Sequence, residues 1–539
     1  MPTGLMLPSH PILSCAEAKA WEAGLLKGEA AEWAAMQRAG AAIAAAIEAD
    51  FKEIGGLPDD ARILVLMGKG HNGGDALLAA QALLLAKPAA TAEVLLCAGD
   101  AALRPLAQKA FDGLMQSVGL RACSRRIDTE GASKLAGLQE KSYDLCIDGV
   151  FGFQFRPPLQ EYTAKVLAWV NTHPRIRLRA AVDLPSGMGD ENAGTVFRAD
   201  FTYATGIVKS PVVAESNAVY TGRLRYLDLG FFADVAGLVE PGPGSTTPAT
   251  MRVLLPSILA PLAQLRRAQT DKRTYGHLFL VGGSLNYPGA VLMSVQAALR
   301  SGVGLLTAFV PASLVPEYAA KFPEAMWVGW PETATGGLAA AGVQLLLDKL
   351  PRATALAIGP GLGADPETQV AVQEIVRAAK VPLLLDADAL RPEVLAAVGN
   401  KPFIATPHAG EYQRIAPALT AAMQGVLVLK GPLTRIVGRA LRPTESGDVG
   451  PEARPTIYYS PFGGPVLARG GSGDLLTGLT GGLLAQAPDD LLLAASRGVV
   501  WHGLAADLLA RDKGQVAVQT TQLLEYLQPA LNHAAHDSP

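Results

Sequence analysis

Three segments in the first half of this 539-residue chain carry side chains at spacings suited to ligand chemistry. Gly68-Lys69-Gly70-His71-Asn72-Gly73-Gly74-Asp75 joins an apolar run to an Ala/Leu-rich one. Its glycines let the backbone approach a ligand, and free N–H groups at a following helix start favour an anion. The segment is neither a strict G-x-G-x-x-G nor a Walker loop, so a tight strand-to-helix turn also accounts for it. Asn72 and Asp75 offer more polar chemistry than a turn needs, whereas His71 reads equally as a surface residue. Asp148-Gly-Val-Phe-Gly-Phe and Asp183-Leu-Pro-Ser186-Gly follow two further apolar runs. One Asp at a strand end is often only a helix cap, but three such ends from adjacent strands would meet in one crevice. Amide, carboxylate and hydroxyl oxygens of this kind suit a hard cation.

The second half carries Gly470-Gly471-Ser472-Gly473-Asp474 ahead of an apolar run. Successive N–H groups at a helix start form an anion hole, and an Asp at its mouth can deprotonate a hydroxyl attacking a bound phosphate. An Asp cap on a Gly-rich turn is the plainer reading. Other polar loops follow the same logic: Gly282-Gly283-Ser284, Tyr287-Pro-Gly289-Ala290, Gly359-Pro-Gly361-Leu-Gly363, Thr406-Pro-His408-Ala-Gly-Glu411 and Lys430-Gly431-Pro432-Leu433-Thr434. His408 also reads as a buried core histidine. Asp386 and Asp388 read as a strand-end network and helix start rather than as metal ligands.

These loops need elements to hold them. Arg62–Met67, Tyr143–Asp148, Leu178–Asp183, His277–Val281, Ala353–Ile358, Val381–Leu385 and Gly425–Leu429 read as strands. Ala76–Ala86, Val291–Arg300 and Leu475–Leu484 read as helices. Continuous apolar strands alternating with helices predict parallel sheets covered on both faces, with ligands past the strands' carboxyl ends. The Pro/Gly/Ser/Thr stretch 240–250 predicts a linker. The resulting division is 1–240, a linker over 241–251, and 252–539. A polar excursion over 442–456 is expected between two strands.

Composition narrows the class. With 49% apolar and 18% charged residues the chain can bury large cores. Forty-six Lys+Arg against 49 Asp+Glu leave a net charge of −3, which speaks against nucleic acid as a partner. Four cysteines without a C-x-x-C pair make no disulfide framework and predict a cytoplasmic, reducing setting. No stretch reads as a membrane span, and Pro8 and Pro11 interrupt the only signal-like run.

On these motifs the first half resembles the YjeF N-terminal family of NAD(P)H-hydrate epimerases, whose pattern is N-N-G-G-D, D-x-L-F-G-T-G and D-[IL]-P-S-G. Here His71 replaces the first Asn, Ala76 a usual Gly, and Phe153 a common Thr. The resemblance implies potassium ligands at Asn72, Asp148 and Ser186. It implies substrate contacts at His71, Asn72, Gly73, Gly74 and Asp75, at Gly152, Phe153, Gln154, Phe155, Arg156, Pro157 and Pro158, and at Asp183. Asp183 would be the acid/base. The second half resembles the ADP/ATP-dependent NAD(P)H-hydrate dehydratases. Ala290, Gly361 and His408 would contact the hydrated nicotinamide nucleotide. Lys430, Gly431, Pro432, Leu433, Thr434, Gly471, Ser472 and Gly473 would hold the adenine nucleotide, with Asp474 as catalytic base.

The implied fold is two doubly wound, three-layer αβα domains, the first Rossmann-like and the second ribokinase-like. The implied function is nicotinamide-nucleotide repair: interconversion of R and S hydrated NADH or NADPH, then dehydration of the S form coupled to cleavage of ADP to AMP and phosphate. Magnesium is expected with ADP and potassium in the first domain, in a homo-oligomer. The alternatives are a ribokinase-superfamily kinase of a small vitamin-like alcohol and a non-catalytic metabolite sensor.

Overall fold

A computed structural model describes residues 7–97, 102–126, 140–192, 194–233, 250–420, 423–439 and 456–536. The expected linker lies outside the described residues except for 250–251, which open a strand, and the 442–456 excursion lies outside them except for Thr456.

The chain divides into two compact units. One comprises His10–Val239 with Arg511–Gln515, the other Met1–Ser9 with Glu240–Ala510 and Val516–Pro539. This division departs from 1–240 and 252–539 in two places, each for a polar reason. Arg252 donates to the Ser9 hydroxyl at 2.8 Å and to the Ser9 carbonyl at 2.7 Å, holding the chain start in the second unit. Arg511 donates to Asp50 Oδ1 at 3.0 Å, and so belongs to the first.

The first unit contains β1 (Arg62–Met67), β2 (Thr91–Leu96), β3 (Ala122–Arg126), β4 (Tyr143–Gly149), β5 (Ile176–Val182), β6 (Phe201–Thr205) and β7 (Arg223–Leu227). They run parallel in the order β3-β2-β1-β4-β5-β6-β7. Connections wind one way from β1 and the other way from β4, so a switch point opens between those two. The helix His71–Ala86 covers one face with Ala76, Leu77, Ala80, Leu83 and Leu84 buried. It starts five residues before the expected Ala76, because the Gly-rich turn is itself helical from His71.

The second unit contains β8 (Thr250–Leu254), β9 (His277–Val281), β10 (Leu305–Pro311), β11 (Met326–Trp330), β12 (Ala355–Ile358), β13 (Leu383–Leu385), β14 (Phe403–Ala405), β15 (Gly425–Leu429), β16 (Thr434–Arg439) and β17 (Thr456–Ser460). Their order is β11-β10-β9-β12-β13-β14-β15-β16-β17-β8. All pairs are parallel except β15–β16 and β16–β17, so the hairpin-like β16 makes the sheet mixed. Its switch point lies between β9 and β12. The helix Pro288–Arg300 begins three residues before Val291 because Pro288 sits in its first turn, where a missing N–H costs nothing. The helix Ser472–Gln486 likewise starts within the glycine loop.

Candidate functional sites

In the first unit the loops after β1, β4 and β5 surround a cleft of about 510 Å³ at the switch point. Gly68 and Gly149 are glycines of close approach: a Cβ on Gly68 would strike the Val150 carbonyl, and one on Gly149 would lie 2.5 Å from Ala76 Cβ and 2.7 Å from the Asn72 carbonyl. The Ala76 departure is thus accommodated by a glycine opposite it.

Asn72, Asp148 and Ser186 meet around the backbone of Phe151. Ser186 donates its hydroxyl to Asp148 Oδ1 at 2.6 Å and its N–H to Oδ2 at 2.8 Å. Val150 N–H donates to Asp148 at 3.2 Å, Phe151 N–H donates to Ser186 Oγ at 2.8 Å, and Asn72 Nδ2 donates to the Phe151 carbonyl at 3.0 Å. Asp148 is fully buried, and burial pushes its carboxyl up to about 6 against these neutral donors. A buried carboxylate ringed by neutral oxygens and amides, with no cation among these partners, is a donor set that fits potassium.

Asp183 directly follows β5 with φ +67, one of two non-glycine residues in the left-handed region among the described residues; the other, Ala387, follows Asp386. Such strain gathers at functional sites. Asp183 accepts a 2.5 Å hydrogen bond from Lys209, whose side chain is 1% exposed and also lies 3.8 Å from Glu22. Burial raises the Asp183 carboxyl, and Lys209 pulls it back. Burial lowers the Lys209 ammonium, but Asp183 and Glu22 outweigh it and leave it raised. The Phe153 ring stands 4.9 Å from that ammonium, a cation–π contact made by the residue that replaces the usual Thr. Phe153, Gln154, Phe155, Arg156 and Pro158 line the cleft beside Gly152. Pro157 is absent from its wall.

No sequence motif marks Lys209 or Glu22. Lys209 ends the two-residue strand Val208–Lys209, and the signal was a lone cation directly after Ile207-Val208. Glu22 sits on Cys15–Leu25, a helix set by the capping box Ser14–Glu17. Asp75 and His71 line the cleft too. His71 stands 3.7 Å from Glu32, with its imidazole lowered by burial.

In the second unit the loops after β9 and β12 interlock: Gly283 N–H donates to the Pro360 carbonyl at 2.8 Å. A Cβ on Gly361 would lie 3.1 Å from Ala290 Cβ, so these two residues are neighbours. Lys430, at the end of β15, pairs with Asp386 at 2.9 Å, and Thr477 donates to the other Asp386 oxygen at 2.6 Å. Asp388 accepts from Gly363 N–H at 2.9 Å. Both aspartates therefore serve a strand-end network. Lys430 N–H bonds the Pro407 carbonyl, which brings His408 alongside. His408 is not a core histidine: its side chain is 61% exposed and caps the next helix, accepting from Gly410 and Glu411. Glu411 ties His408 (3.2 Å) to Lys430 (3.9 Å).

The glycine loop closes this site. Gly471 caps the helix Ser472–Gln486 at φ +89; the Ser472 N–H donates to the Arg469 carbonyl at 3.3 Å, and the N–H groups of Gly473 and Asp474 lie at the helix's open start. A Cβ on Gly473 would sit 3.3 Å from Lys430 Nζ and 3.9 Å from Asp386 Oδ2, so loop, cation and carboxylate share one spot. Asp474 is pushed up to about 6 by burial and then by Asp386, with Lys430 opposing. Thr434 opens β16, directly beyond Gly431–Leu433. Asp474 is thus a carboxyl raised towards neutrality at the start of a glycine-opened helix.

Two doubly wound units, one presenting a carboxylate–ammonium cluster and the other a glycine-opened helix start beside Asp474, Lys430 and Asp386, define a two-site α/β enzyme. The profile of the NAD(P)H-hydrate dehydratase family matches residues 278–529, and that of the YjeF-related protein N-terminus matches 33–210. A bifunctional NAD(P)H-hydrate repair enzyme of Moorella thermoacetica is 32% identical over 522 residues, covering 92% of each chain. Its counterpart from Gloeobacter violaceus is 34% identical over 554 residues, covering 98% of each. The solved ADP/ATP-dependent NAD(P)H-hydrate dehydratase of Bacillus subtilis, co-crystallized with ATP and Mg2+, is 28% identical at a TM-score of 0.40, covering 50% of this chain and 94% of that one. The chain belongs to the family of bifunctional NAD(P)H-hydrate repair enzymes.

Proposed function

We propose that the first unit interconverts the R and S epimers of NADH or NADPH hydrated at C6, and that the second dehydrates the S form at the expense of ADP. The observation that carries this reading is Asp474, raised to about 6 at the start of a glycine-opened helix, with Lys430 and Asp386 alongside. Asp474 takes the proton of the C6 hydroxyl. The freed oxygen attacks the terminal phosphoryl group of ADP, held by the N–H groups of the 471–473 loop, and AMP departs. Phosphate is a far better leaving group than hydroxide. The ring-nitrogen lone pair expels it, and loss of a C5 proton restores the dihydropyridine. Ala290, Gly361 and His408 fit the substrate side, and Lys430–Thr434 the nucleotide side.

Potassium, held by Asn72, Asp148 and Ser186, would supply a fixed positive charge beside the buried carboxylate of the first cleft. Magnesium would accompany ADP and offset its charge. Asp386 and Asp388 are already engaged by Lys430, Thr477 and Gly363, so their hydrogen bonds do not favour them as its ligands. Hydrated NADH incubated with ADP and the full chain should regain dihydronicotinamide absorbance while AMP and phosphate appear in equal amounts. A stable phosphate ester with no recovered absorbance would instead make the second unit a kinase.

A further inference from the structure

Asp75 is placed for more than a substrate contact. It lies beyond the first turn of the helix His71–Ala86, so it caps nothing. Its Oδ1 is buried with no hydrogen-bond partner among the described residues, yet the side chain lines the cleft. A carboxyl oxygen left unsatisfied in a core costs free energy, and in a cleft it is a group awaiting a ligand. Of the four carboxyls that line the cleft, Glu32 stands beside His71, and Asp75, Asp183 and Glu22 act on one another. Lys209 is the positive charge that acts on each of them. One ammonium balances one carboxylate, and Lys209 is bonded to Asp183 at 2.5 Å while Glu22 stands at 3.8 Å. The remaining two carboxyls keep protons, because like charges crowded out of water do not all ionise. The titration behaviour agrees: burial, then Asp183 and Glu22, hold Asp75 well above the carboxylate range, and burial raises Glu22 to about 7. The Phe153 ring, packed on Lys209, helps keep water from this cluster. Asp75 follows β1 and Asp183 follows β5, with β4 between them in the sheet. Asp75 reaches the cleft from the helix His71–Ala86 and Asp183 from the turn after β5, so the two carboxyls line it from different elements.

We propose that Asp75 is a second catalytic acid/base of the epimerisation, opposing Asp183 across C6 of the hydrated ring; this rests on the epimerase reading above. Asp75 gives its proton to the C6 hydroxyl as the C6–O bond breaks. The bonding pair leaves with the new water, and the ring-nitrogen lone pair forms N=C6. A water on the other face then attacks C6. Its lone pair forms the new C–O bond, the N=C6 pair returns to nitrogen, and its proton passes to Asp183. The released water carries that proton back to Asp75, so nothing is consumed. In the opposite direction the two carboxyls exchange roles, as a reversible inversion demands.

The test uses the full chain with pure R epimer. Asp75→Asn keeps the shape and removes the transferable proton. Its kcat for inversion should fall at least about 100-fold with KM within about threefold, while dehydration of S epimer continues. Wild-type inversion in 18O-water should place one solvent oxygen at C6 per inversion, a measurement that needs no variant to fold. A kcat within threefold of wild type, a change confined to KM, lost substrate binding in Asp75→Asn, or inversion that keeps the original oxygen would each overturn the proposal. A wild-type chain that does not invert R to S at all would instead sink the epimerase reading itself.

Discussion

At the scale of single residues, the two reactions differ in which proton must move. Asp474→Asn removes the base at the phosphoryl acceptor and nothing in the first cleft. ADP-dependent dehydration should fall at least about 100-fold, with R/S inversion unchanged; retained repair above a few per cent would contradict the role. Asp474 must be ionised to act, and its carboxyl is raised to about 6. The dehydration rate should therefore be full near pH 7.5 and fall as pH drops through about 6, read from a kcat profile between pH 5 and 8. The residues of this site were legible because each sits in a short local pattern, Gly471–Asp474 or Thr406–Glu411. Lys209 and Glu22 were not. Each is an ordinary charged residue whose partner, Asp183 for Lys209 and Lys209 for Glu22, is remote in sequence, and only the fold brings them together. Asp75 was legible as a polar extra in a turn, but its missing hydrogen bond is a property of the folded cleft.

Elements set what these residues can do. Gly471 has φ +89, and a Cβ there would run into the Met293 side chain. Gly471→Ala should strain the cap by roughly 1–2 kcal/mol and cut ADP-dependent turnover more than inversion, measured by thermal unfolding and separate assays. The loops around Asp148 make a second prediction. The carboxyl is raised in the folded chain to about 6 from 3.8, so its protonated form is favoured there. Stability from this group is present at low pH and is lost as pH rises from about 4 through 6, by roughly 3 kcal/mol without a cation. Potassium should then raise the unfolding temperature more at pH 7.5 than at pH 5, against choline as control; equal shifts at both would argue against a cation beside Asp148. Strands such as Arg62–Met67 and His277–Val281 were legible to the residue because continuous apolar runs have clear polar ends. Helix starts were not, since glycine and proline in a first turn look like loop: His71 and Pro288 begin helices ahead of the apolar patterns that start at Ala76 and Val291. The mixed edge at β16 escaped for a related reason, because antiparallel pairing there depends on a return strand beyond the polar excursion.

At the scale of the whole molecule, each unit carries its own switch point and its own group of carboxyls around a lysine, Lys209 in one and Lys430 in the other. Asp183 and Asp474 belong to different units, so replacing one should leave the groups around the other intact. The central claim is that one chain performs two separable reactions in sequence, with hydrated nucleotide passing between them through solvent. The direct measurement is the recovery of dihydronicotinamide absorbance from pure R and pure S epimers, with ADP, by wild type and by full-length Asp183→Asn. Wild type should repair both. Asp183→Asn should repair S at the wild-type rate and leave R untouched, and added wild-type first unit, or Asp474→Asn chain, should restore R repair. Slowing of S repair several-fold in Asp183→Asn, or continued repair of R by that variant alone, would contradict the account.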